Sequence, residues 1–167
     1  KYYSQLLTDC QTVNNLNILN PSIINNPAVY SLLSSKYLKA SSEGINFNIY
    51  VFHDISKLKM DTYKFTRILG ILLDNAIEAT RECEEKKIDF TFRLDPKVSR
   101  QLLVVENTYK DKNIDTEKIY EKSYSTKPNN TGLGLWEVRK ILKKYKNLNL
   151  FTEKSDKYFK QQLEIYL

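Results

Sequence analysis

The strongest local pattern in the sequence is an amphipathic helix over residues 61–81. Its apolar side chains recur at spacings of three and four residues and form one stripe, made of Phe65, Ile68, Leu69, Leu72, Leu73, Ala76 and Ile77. Asp61 stands where a helix cap is expected, because a carboxylate accepts hydrogen bonds from the free N–H groups of a first turn. Such a helix must bury its stripe against a second layer, which constrains the chain to a layered fold.

The rest of the chain supplies strands for that second layer. Alternation of apolar and polar residues predicts strands, and helical spacing predicts two more helices. In chain order the predicted elements are helix 28–43, strand 45–53, helix 61–81, strands 88–94 and 101–106, a helix from Gly134 to about 146, and strands 148–152 and 162–167. Because helices do not alternate regularly with these strands, we predict an α/β fold, a two-layer α/β sandwich whose mixed sheet carries its helices on one face.

The length and composition suit one domain with its own core, since the chain has 167 residues of which 28% are charged and 41% hydrophobic. Residues 1–26 are rich in asparagine and interrupted by Pro21, so we interpret them as the end of an earlier element plus a linker, with the domain at 27–167. The first residue is a lysine, and we expect the chain to be a fragment of a longer protein.

Composition also excludes several classes of protein. The net charge of +6 comes from basic residues scattered among acidic ones, which do not form the continuous basic face of a nucleic-acid-binding protein. The longest apolar run, Ile68–Leu73, is far shorter than the roughly 18 residues that cross a bilayer. Cys10 and Cys83 are too isolated for a disulfide framework or a zinc site, so we expect a reducing compartment.

Two segments carry candidate chemistry. Asn75 and Glu78, three residues apart on the 61–81 helix, place an amide and a carboxylate on one edge beside the apolar stripe. The segment 131–135, Thr-Gly-Leu-Gly-Leu, opens the next helix, and its glycines let backbone N–H groups approach a phosphate. Between them, residues 107–131 show no regular pattern, and a loop of that length in a compact domain is usually functional or mobile.

Three motifs stand in order along the chain: Leu73-Asp74-Asn75-Ala76-Ile77-Glu78-Ala79, the segment 119–127, and the glycine segment 131–135. Together they resemble the N box, F box and second glycine box of the Bergerat-fold ATP-binding domains of gyrase, Hsp90, histidine kinases and MutL. The sequences Leu-Leu-Asp-Asn-Ala-Ile-Glu-Ala at 72–79 and Gly-Leu-Gly-Leu-Trp-Glu-Val-Arg at 132–139 are similar to those of AgrC-type sensor histidine kinases, which act in peptide-pheromone quorum sensing.

This resemblance implies ATP and Mg²⁺ as cofactors. Asn75 would bind the Mg²⁺ that bridges the phosphates, Lys127 would reach the terminal phosphate, and Gly132 and Gly134 would provide the lid hinge and backbone donors. Glu78 is a further catalytic candidate beside Asn75 and Lys127. The implied nucleotide contacts are Asn75, Asn107 or Glu106, Ser125, Thr126, Lys127, Thr131, Gly132, Leu133, Gly134 and Leu135.

Two positions depart from the family pattern. The strand before the long loop ends in Glu106-Asn107 and lacks the Asp-x-Gly-x-Gly of a first glycine box, so either Asn107 or Glu106 would read adenine. Ile71, one turn before Asn75, occupies the position where hydrolytic relatives carry a glutamate that activates water. Because isoleucine cannot take a proton, the sequence favours phosphoryl transfer to another acceptor over hydrolysis.

The only histidine, His53, ends a predicted strand, and we interpret it as a structural or surface residue because an acceptor must meet the terminal phosphate in line. The resemblance therefore predicts a protein histidine kinase domain whose acceptor histidine lies on a dimerisation domain outside this chain. Residues 1–26 would be the end of the helical hairpin of that domain plus the linker.

The family resemblance also implies partners. It predicts a full-length homodimer, with the fragment itself compatible with a monomer, a response regulator that receives the phosphoryl group, and a cytoplasmic position in a membrane-anchored sensor kinase. Two alternatives stay open from the sequence: an anti-sigma-type protein serine kinase, and a degenerate docking module without catalysis.

Overall fold

A computed structural model describes residues 19–125 and 132–167 of the chain. Its elements in chain order are helix α1 (Pro27–Ser42), strand β1 (Asn46–Val51), helix α2 (Thr62–Thr80), strands β2 (Lys87–Asp95) and β3 (Arg100–Thr108), helix α3 (Gly134–Leu142), and strands β4 (Leu148–Lys154) and β5 (Tyr158–Tyr166), with short 3-10 helices at Ile55–Lys57 and Lys118–Tyr120. Within the described ranges no helix is long and apolar enough to span a membrane.

The five strands form one mixed sheet in the order β1-β2-β3-β5-β4. β1 runs parallel to β2, and every other neighbouring pair is antiparallel. A single apolar core joins all three helices to one face of this sheet, which contributes Phe47, Phe90, Leu103 and Leu163 among others. The predicted two-layer α/β sandwich is confirmed.

Helix α2 provides the largest apolar face of the core. All residues of the predicted stripe are buried, and Phe65 packs edge-on against Phe92 of β2 with ring centroids 6.1 Å apart. Asp61 caps the helix as predicted, because its side chain accepts a hydrogen bond of 2.9 Å from the backbone N–H of Lys64. Full burial of one such side chain stabilises a fold by about 1.5–3 kcal/mol, so this single face fixes the position of α2 on the sheet.

Several predicted boundaries differ by one or two residues from the structure, and two of them are wrong by four. Helix α3 ends at Leu142 and not near Lys146, because the N–H groups of Lys144 and Tyr145 donate to carbonyls three residues back and tighten the chain into a turn before β4. Strand β5 begins at Tyr158, earlier than the predicted residue 162, because its polar first half pairs with the end of β3, where Tyr158 lies opposite Thr108.

Part of the segment interpreted as a linker is packed on the domain. Leu19 and Ile24 are 4% and 1% exposed and belong to the core. Asn26 caps α1 by accepting hydrogen bonds of 3.1 and 3.2 Å from the N–H groups of Ala28 and Val29. The predicted end of a helical hairpin falls mainly on residues 1–18, which lie outside the described residues.

Candidate functional site

A cavity of about 370 Å³ opens between α2, the end of β3 and the start of α3. Its volume falls within the roughly 300–1,000 Å³ of typical small-molecule sites. Helix α2 provides one wall, Gly132 and the first residues of α3 provide the second, and Asn107 at the end of β3 belongs to the third. The fold therefore brings the helix motif and the glycine motif of the sequence to one place.

One face of α2 lines this cavity. Arg67, Ile71, Asn75 and Glu78 recur at about one helical turn, so their side chains project from the same side of the helix. Asn75 and Glu78 are half-buried, and Ile71 is 9% exposed. Asp74 also borders the cavity, and its carboxylate is paired with α1 through Lys36 at 2.7 Å. This wall therefore presents an amide and a carboxylate next to the apolar side chain of Ile71.

Two glycines of the second wall approach other segments closely, Gly132 the backbone of Tyr124 and Gly134 the side chain of Ile71 on α2. Gly132 has a φ of +62°, and a Cβ placed on it would lie 2.4 Å from the carbonyl oxygen of Tyr124. A Cβ on Gly134 would lie 3.0 Å from Cγ2 of Ile71, so the first turn of α3 packs directly on α2. The N-cap residue Leu133 makes no side-chain cap bond. The N–H groups at the positive end of α3 are therefore suited to bind an anion.

Strand register separates the two alternatives for adenine recognition. Asn107 lies opposite Ile88 on the core face of β3, is 4% exposed and lines the cavity. Glu106 lies opposite Asp89 and occupies the other face of the strand, away from the cavity, because neighbouring side chains alternate. The Nδ2 group of Asn107 donates to the Thr108 carbonyl at 2.8 Å, which leaves Oδ1 as the acceptor for a ligand. The structure thus places Asn107, and not Glu106, on the cavity wall.

Comparison with known protein families identifies the family of the chain. A GHKL domain matches residues 60–166, more than half of the chain. The chain belongs to the GHKL family. Since the GHKL domain is an ATP-binding domain, the match implies that this chain binds nucleotide.

Solved structures support the same assignment. The nucleotide-free catalytic domain of histidine kinase ThkA has a TM-score of 0.70 and 25% identity, with 84% of this chain and 91% of that chain covered. Acinetobacter baumannii histidine kinase AdeS has a TM-score of 0.66, with 98% and 83% covered, and mycobacterial sensor histidine kinase MprB has 0.60, with 83% and 95% covered. At 16% identity the last two support the fold alone. A comparison with curated proteins gives no match.

The remaining predicted contacts of the GHKL site divide into three groups. Ser125 and Leu135 line the cavity together with both glycines. Leu133 is 39% exposed and borders a neighbouring groove beside Trp136, so its predicted nucleotide contact is not part of this cavity wall. The predictions for Thr126, Lys127 and Thr131 lie outside the described residues.

Tyr109 and Phe159 add an aromatic wall to the GHKL cavity that the sequence analysis missed. Their ring centroids are 5.8 Å apart, and both side chains line the cavity. The Tyr109 hydroxyl donates to the Ser155 carbonyl at 2.6 Å, and burial raises the pKa of Tyr109. Aromatic faces of this kind suit a flat heterocyclic ring. Tyr109 lies in the predicted loop, and Phe159 precedes the predicted last strand. Longer strands at these two places, paired with each other, would have predicted that the two rings lie side by side.

An ion pair that the sequence analysis also missed connects two walls of the GHKL cavity. The Arg67 guanidinium on α2 donates two hydrogen bonds to the Glu137 carboxylate on α3, at 2.8 Å from Nε and 2.6 Å from Nη2. These bonds raise the pKa of Arg67 and hold the pKa of the Glu137 carboxyl below its ordinary value. The sequence offers no local signal for this pair, because the two residues are 70 positions apart.

His53 lies at the far end of the sheet from Asn107. Its ring is 6.1 Å from that of Phe92, near the end of β1. Asn107, in contrast, lies opposite Ile88 at the start of β2. The only histidine of the chain is therefore placed away from the cavity that Asn75 and Asn107 line.

The α2 wall suits a Mg²⁺ ion. Asn75 offers an amide oxygen and Glu78 a carboxylate, and Mg²⁺ prefers such hard oxygen ligands. Within residues 19–125 and 132–167, no group of three or more His, Cys, Asp or Glu side chains could hold a metal ion alone. An ion bound together with a nucleotide would take one or two protein ligands and complete its shell with phosphate oxygens and water.

Proposed function

We propose that this GHKL domain is the catalytic domain of an AgrC-type sensor histidine kinase, which binds Mg-ATP and transfers the γ-phosphoryl group to a histidine on a dimerisation domain. The observation that carries this proposal is the convergence of Asn75 on α2 and the glycine-initiated helix α3 on one cavity. Phosphoryl transfer requires positioning and neutralisation of charge more than covalent catalysis, and these are the functions that such walls perform.

Each wall contacts a different part of the nucleotide in this proposal. Asn107 accepts a hydrogen bond from the adenine amino group, and the rings of Tyr109 and Phe159 lie beside the base. The N–H groups at the start of α3 bind the phosphates. Asn75 holds Mg²⁺, which when bound neutralises part of the phosphate charge. Lys127, outside the described residues, reaches the terminal phosphate.

The α2 wall favours transfer over hydrolysis. Ile71 lies one turn before Asn75 and contacts the first turn of α3, where it offers no group that could deprotonate a water molecule. Glu78 borders the cavity on the same face and is the residue that would orient the metal's water shell. The acceptor of the phosphoryl group then has to come from outside this domain, since His53 lies at the other end of the sheet.

Similarity of motifs supports the wider setting. The sequences at 72–79 and 132–139 resemble those of AgrC-type kinases. On that basis we infer a homodimer formed through the dimerisation domain, a response regulator as the final recipient of the phosphoryl group, and a membrane-anchored sensor with this domain in the cytoplasm. Quorum sensing is the corresponding physiological role.

A trans-phosphorylation assay tests the proposal. The chain is incubated with radiolabelled Mg-ATP and a separately supplied histidine-bearing dimerisation domain. We expect acid-labile label on that domain, loss of label with Asn75→Ala, and no change with Asn149→Ala, a matched substitution at an exposed position of β4. Acid-stable label would instead indicate a protein serine kinase, and ATP binding without any transfer would refute the kinase assignment.

A non-catalytic docking module is the second candidate function. It is favoured by one observation: no glycine follows Asn107 before Gly132, although the family carries an Asp-x-Gly-x-Gly motif there. Calorimetric titration with Mg-ATP separates the two candidates. We expect binding that Asn75→Ala makes independent of Mg²⁺, whereas no heat of binding at millimolar ATP would support the docking module.

A further inference from the structure

We propose that Arg67 and Glu137 are positioning residues, whose ion pair latches α3 onto α2 and so sets the distance between the phosphate-binding glycines and Asn75. The inference rests on the proposed binding of ATP in this cavity. It assigns a role to two charged residues to which the motif resemblance gave none.

The pair has a geometry that can orient two helices. Nε of Arg67 donates to Oε1 of Glu137 at 2.8 Å, and Nη2 donates to Oε2 at 2.6 Å. Two parallel bonds between a planar guanidinium and a planar carboxylate fix direction as well as distance. A single charged contact would fix one point of the first turn of α3, whereas this pair fixes two, beside the anchoring of Val138 in the core.

The start of α3 depends on such a tertiary contact. Leu133, its N-cap, provides no side-chain hydrogen bond, so no local cap fixes the first turn. Gly134 rests against Ile71, where even a Cβ would come within 3.0 Å of Cγ2. That glycine contact is apolar and small, and it would not by itself keep α3 in register along α2.

The pair and the glycine contact form one interface. Arg67 lies one turn before Ile71 on α2, and Glu137 lies one turn after Gly134 on α3. Arg67 and Gly134 also both border the cavity. A shift of α3 at the ion pair therefore moves the N–H groups that face the phosphates relative to Asn75, without removing any atom that touches the nucleotide.

The chain offers a matched control pair on the same helix. Arg81, just after α2, donates to Glu43, just after α1, at 2.7 Å from Nε and 2.9 Å from Nη2. The two arginine side chains are equally exposed, at 51% for Arg81 and 50% for Arg67. Neither Arg81 nor Glu43 lines the cavity. Loss of this second pair removes an ion pair of the same bidentate geometry without changing a cavity wall.

A double-mutant cycle tests the latch. Mg-ATP affinity is measured by calorimetry for the full chain and for Arg67→Gln, Glu137→Gln, the double variant, and Arg81→Gln as control. We expect each latch variant to bind about fivefold more weakly, the upper end of what one exposed ion pair contributes, and the double variant to bind no more weakly than either single one. Arg67→Lys, which keeps the charge but not the bidentate geometry, should recover only part of the affinity. Arg81→Gln should bind like the wild type.

Two further readouts separate positioning from general destabilisation. In the trans-phosphorylation assay, KM for ATP should rise by the same factor of about five while kcat changes by less than about twofold, because the reacting groups are intact. Trp136, the single tryptophan, precedes Glu137 on α3, so its fluorescence should differ between Arg67→Gln and the wild type and not between Arg81→Gln and the wild type.

The outcomes are distinguishable. If the wild type binds no ATP, the proposed function fails and the latch with it. If the wild type binds ATP and both Glu137→Gln and Arg67→Gln bind as tightly, the latch is refuted while the proposed function stands. If Arg67→Gln is weaker than Glu137→Gln and the two losses add, Arg67 contacts the phosphates directly and the positioning role is refuted.

Discussion

Replacement of Gly132 by alanine has two consequences, backbone strain at a positive φ and a collision of the added Cβ with a neighbouring segment. A second glycine of the chain allows the two to be measured separately. Gly132 has a φ of +62° and Gly44 a φ of +69°, so an alanine at either position costs about 1–2 kcal/mol of backbone strain. A Cβ at Gly44 meets nothing within 4 Å, whereas a Cβ at Gly132 lies 2.4 Å from the Tyr124 carbonyl oxygen. Only at Gly132 is a collision added to the strain.

The size of that collision determines the expected loss. Ordinary contact begins at 3.4 Å, so the chain at Gly132 has to move about 1 Å (3.4 − 2.4) away from Tyr124. A displacement of about 1 Å at an active site typically costs about a hundredfold in catalysis. The obstructing atoms are backbone, which cannot rotate aside as a side chain can.

We therefore expect Gly132→Ala to lose about a hundredfold in kcat/KM for phosphoryl transfer. Gly44→Ala should leave both binding and transfer unchanged and lower only the free energy of unfolding. Calorimetry with Mg-ATP, the trans-phosphorylation assay and urea unfolding measure the three quantities. Near-wild-type transfer by Gly132→Ala, or an equal loss in Gly44→Ala, would show that the close approach of the glycine segment does not position the nucleotide.

Three further predictions concern other parts of the domain. Asn107→Ala should weaken ATP binding about tenfold in calorimetry and reduce the preference for ATP over GTP, because one hydrogen bond to the adenine amino group is lost; an unchanged preference would contradict this role. Gly70→Ala, within α2 and with room for a methyl group, should raise the free energy of urea unfolding by about 0.5–1 kcal/mol, and a decrease would contradict the packing described. The pKa of the Glu137 carboxyl is lowered by Arg67, so its contribution to stability is present above the ordinary carboxyl value of 4.5 and is lost as the pH falls through the lower folded value. Urea midpoints of the wild type and Glu137→Gln should thus differ at about pH 7 and converge as the pH falls below the lowered pKa of Glu137, and a constant difference would argue against the pair.

Patterns within a few turns of chain were predictable because their physics is local. The stripe from Phe65 to Ile77 identified α2 and its buried face, and Asp61 marked where the helix begins. The predicted strands overlapped all five strands of the sheet, although the last prediction missed the first half of β5, and from these elements the two-layer sandwich followed. The motif residues Asn75, Gly132 and Gly134 were likewise identified from the sequence, and the fold brings all three to one cavity.

Contacts between distant residues required the tertiary structure. Whether Asn107 or Glu106 faces the cavity depended on the register of β3 with β2, since a shift of one residue exchanges the two faces of a strand. The aromatic wall of Tyr109 and Phe159 could not be predicted for the same reason, because it depends on the pairing of β3 with β5. That pairing also determines that β5 begins at Tyr158.

The sequence by itself determined the class of the fold and the chemical groups available to a nucleotide, because helix periodicity, capping and glycine freedom act over a few residues. Only the tertiary structure decided which of those groups meet and what holds them together. The Arg67–Glu137 pair illustrates the difference: it joins residues 70 positions apart, and nothing in the pattern around either residue indicates its partner. The reason is that an ion pair between two helices depends on their relative position. Packing of both helices against the sheet determines that position, and this packing is a property of the whole domain.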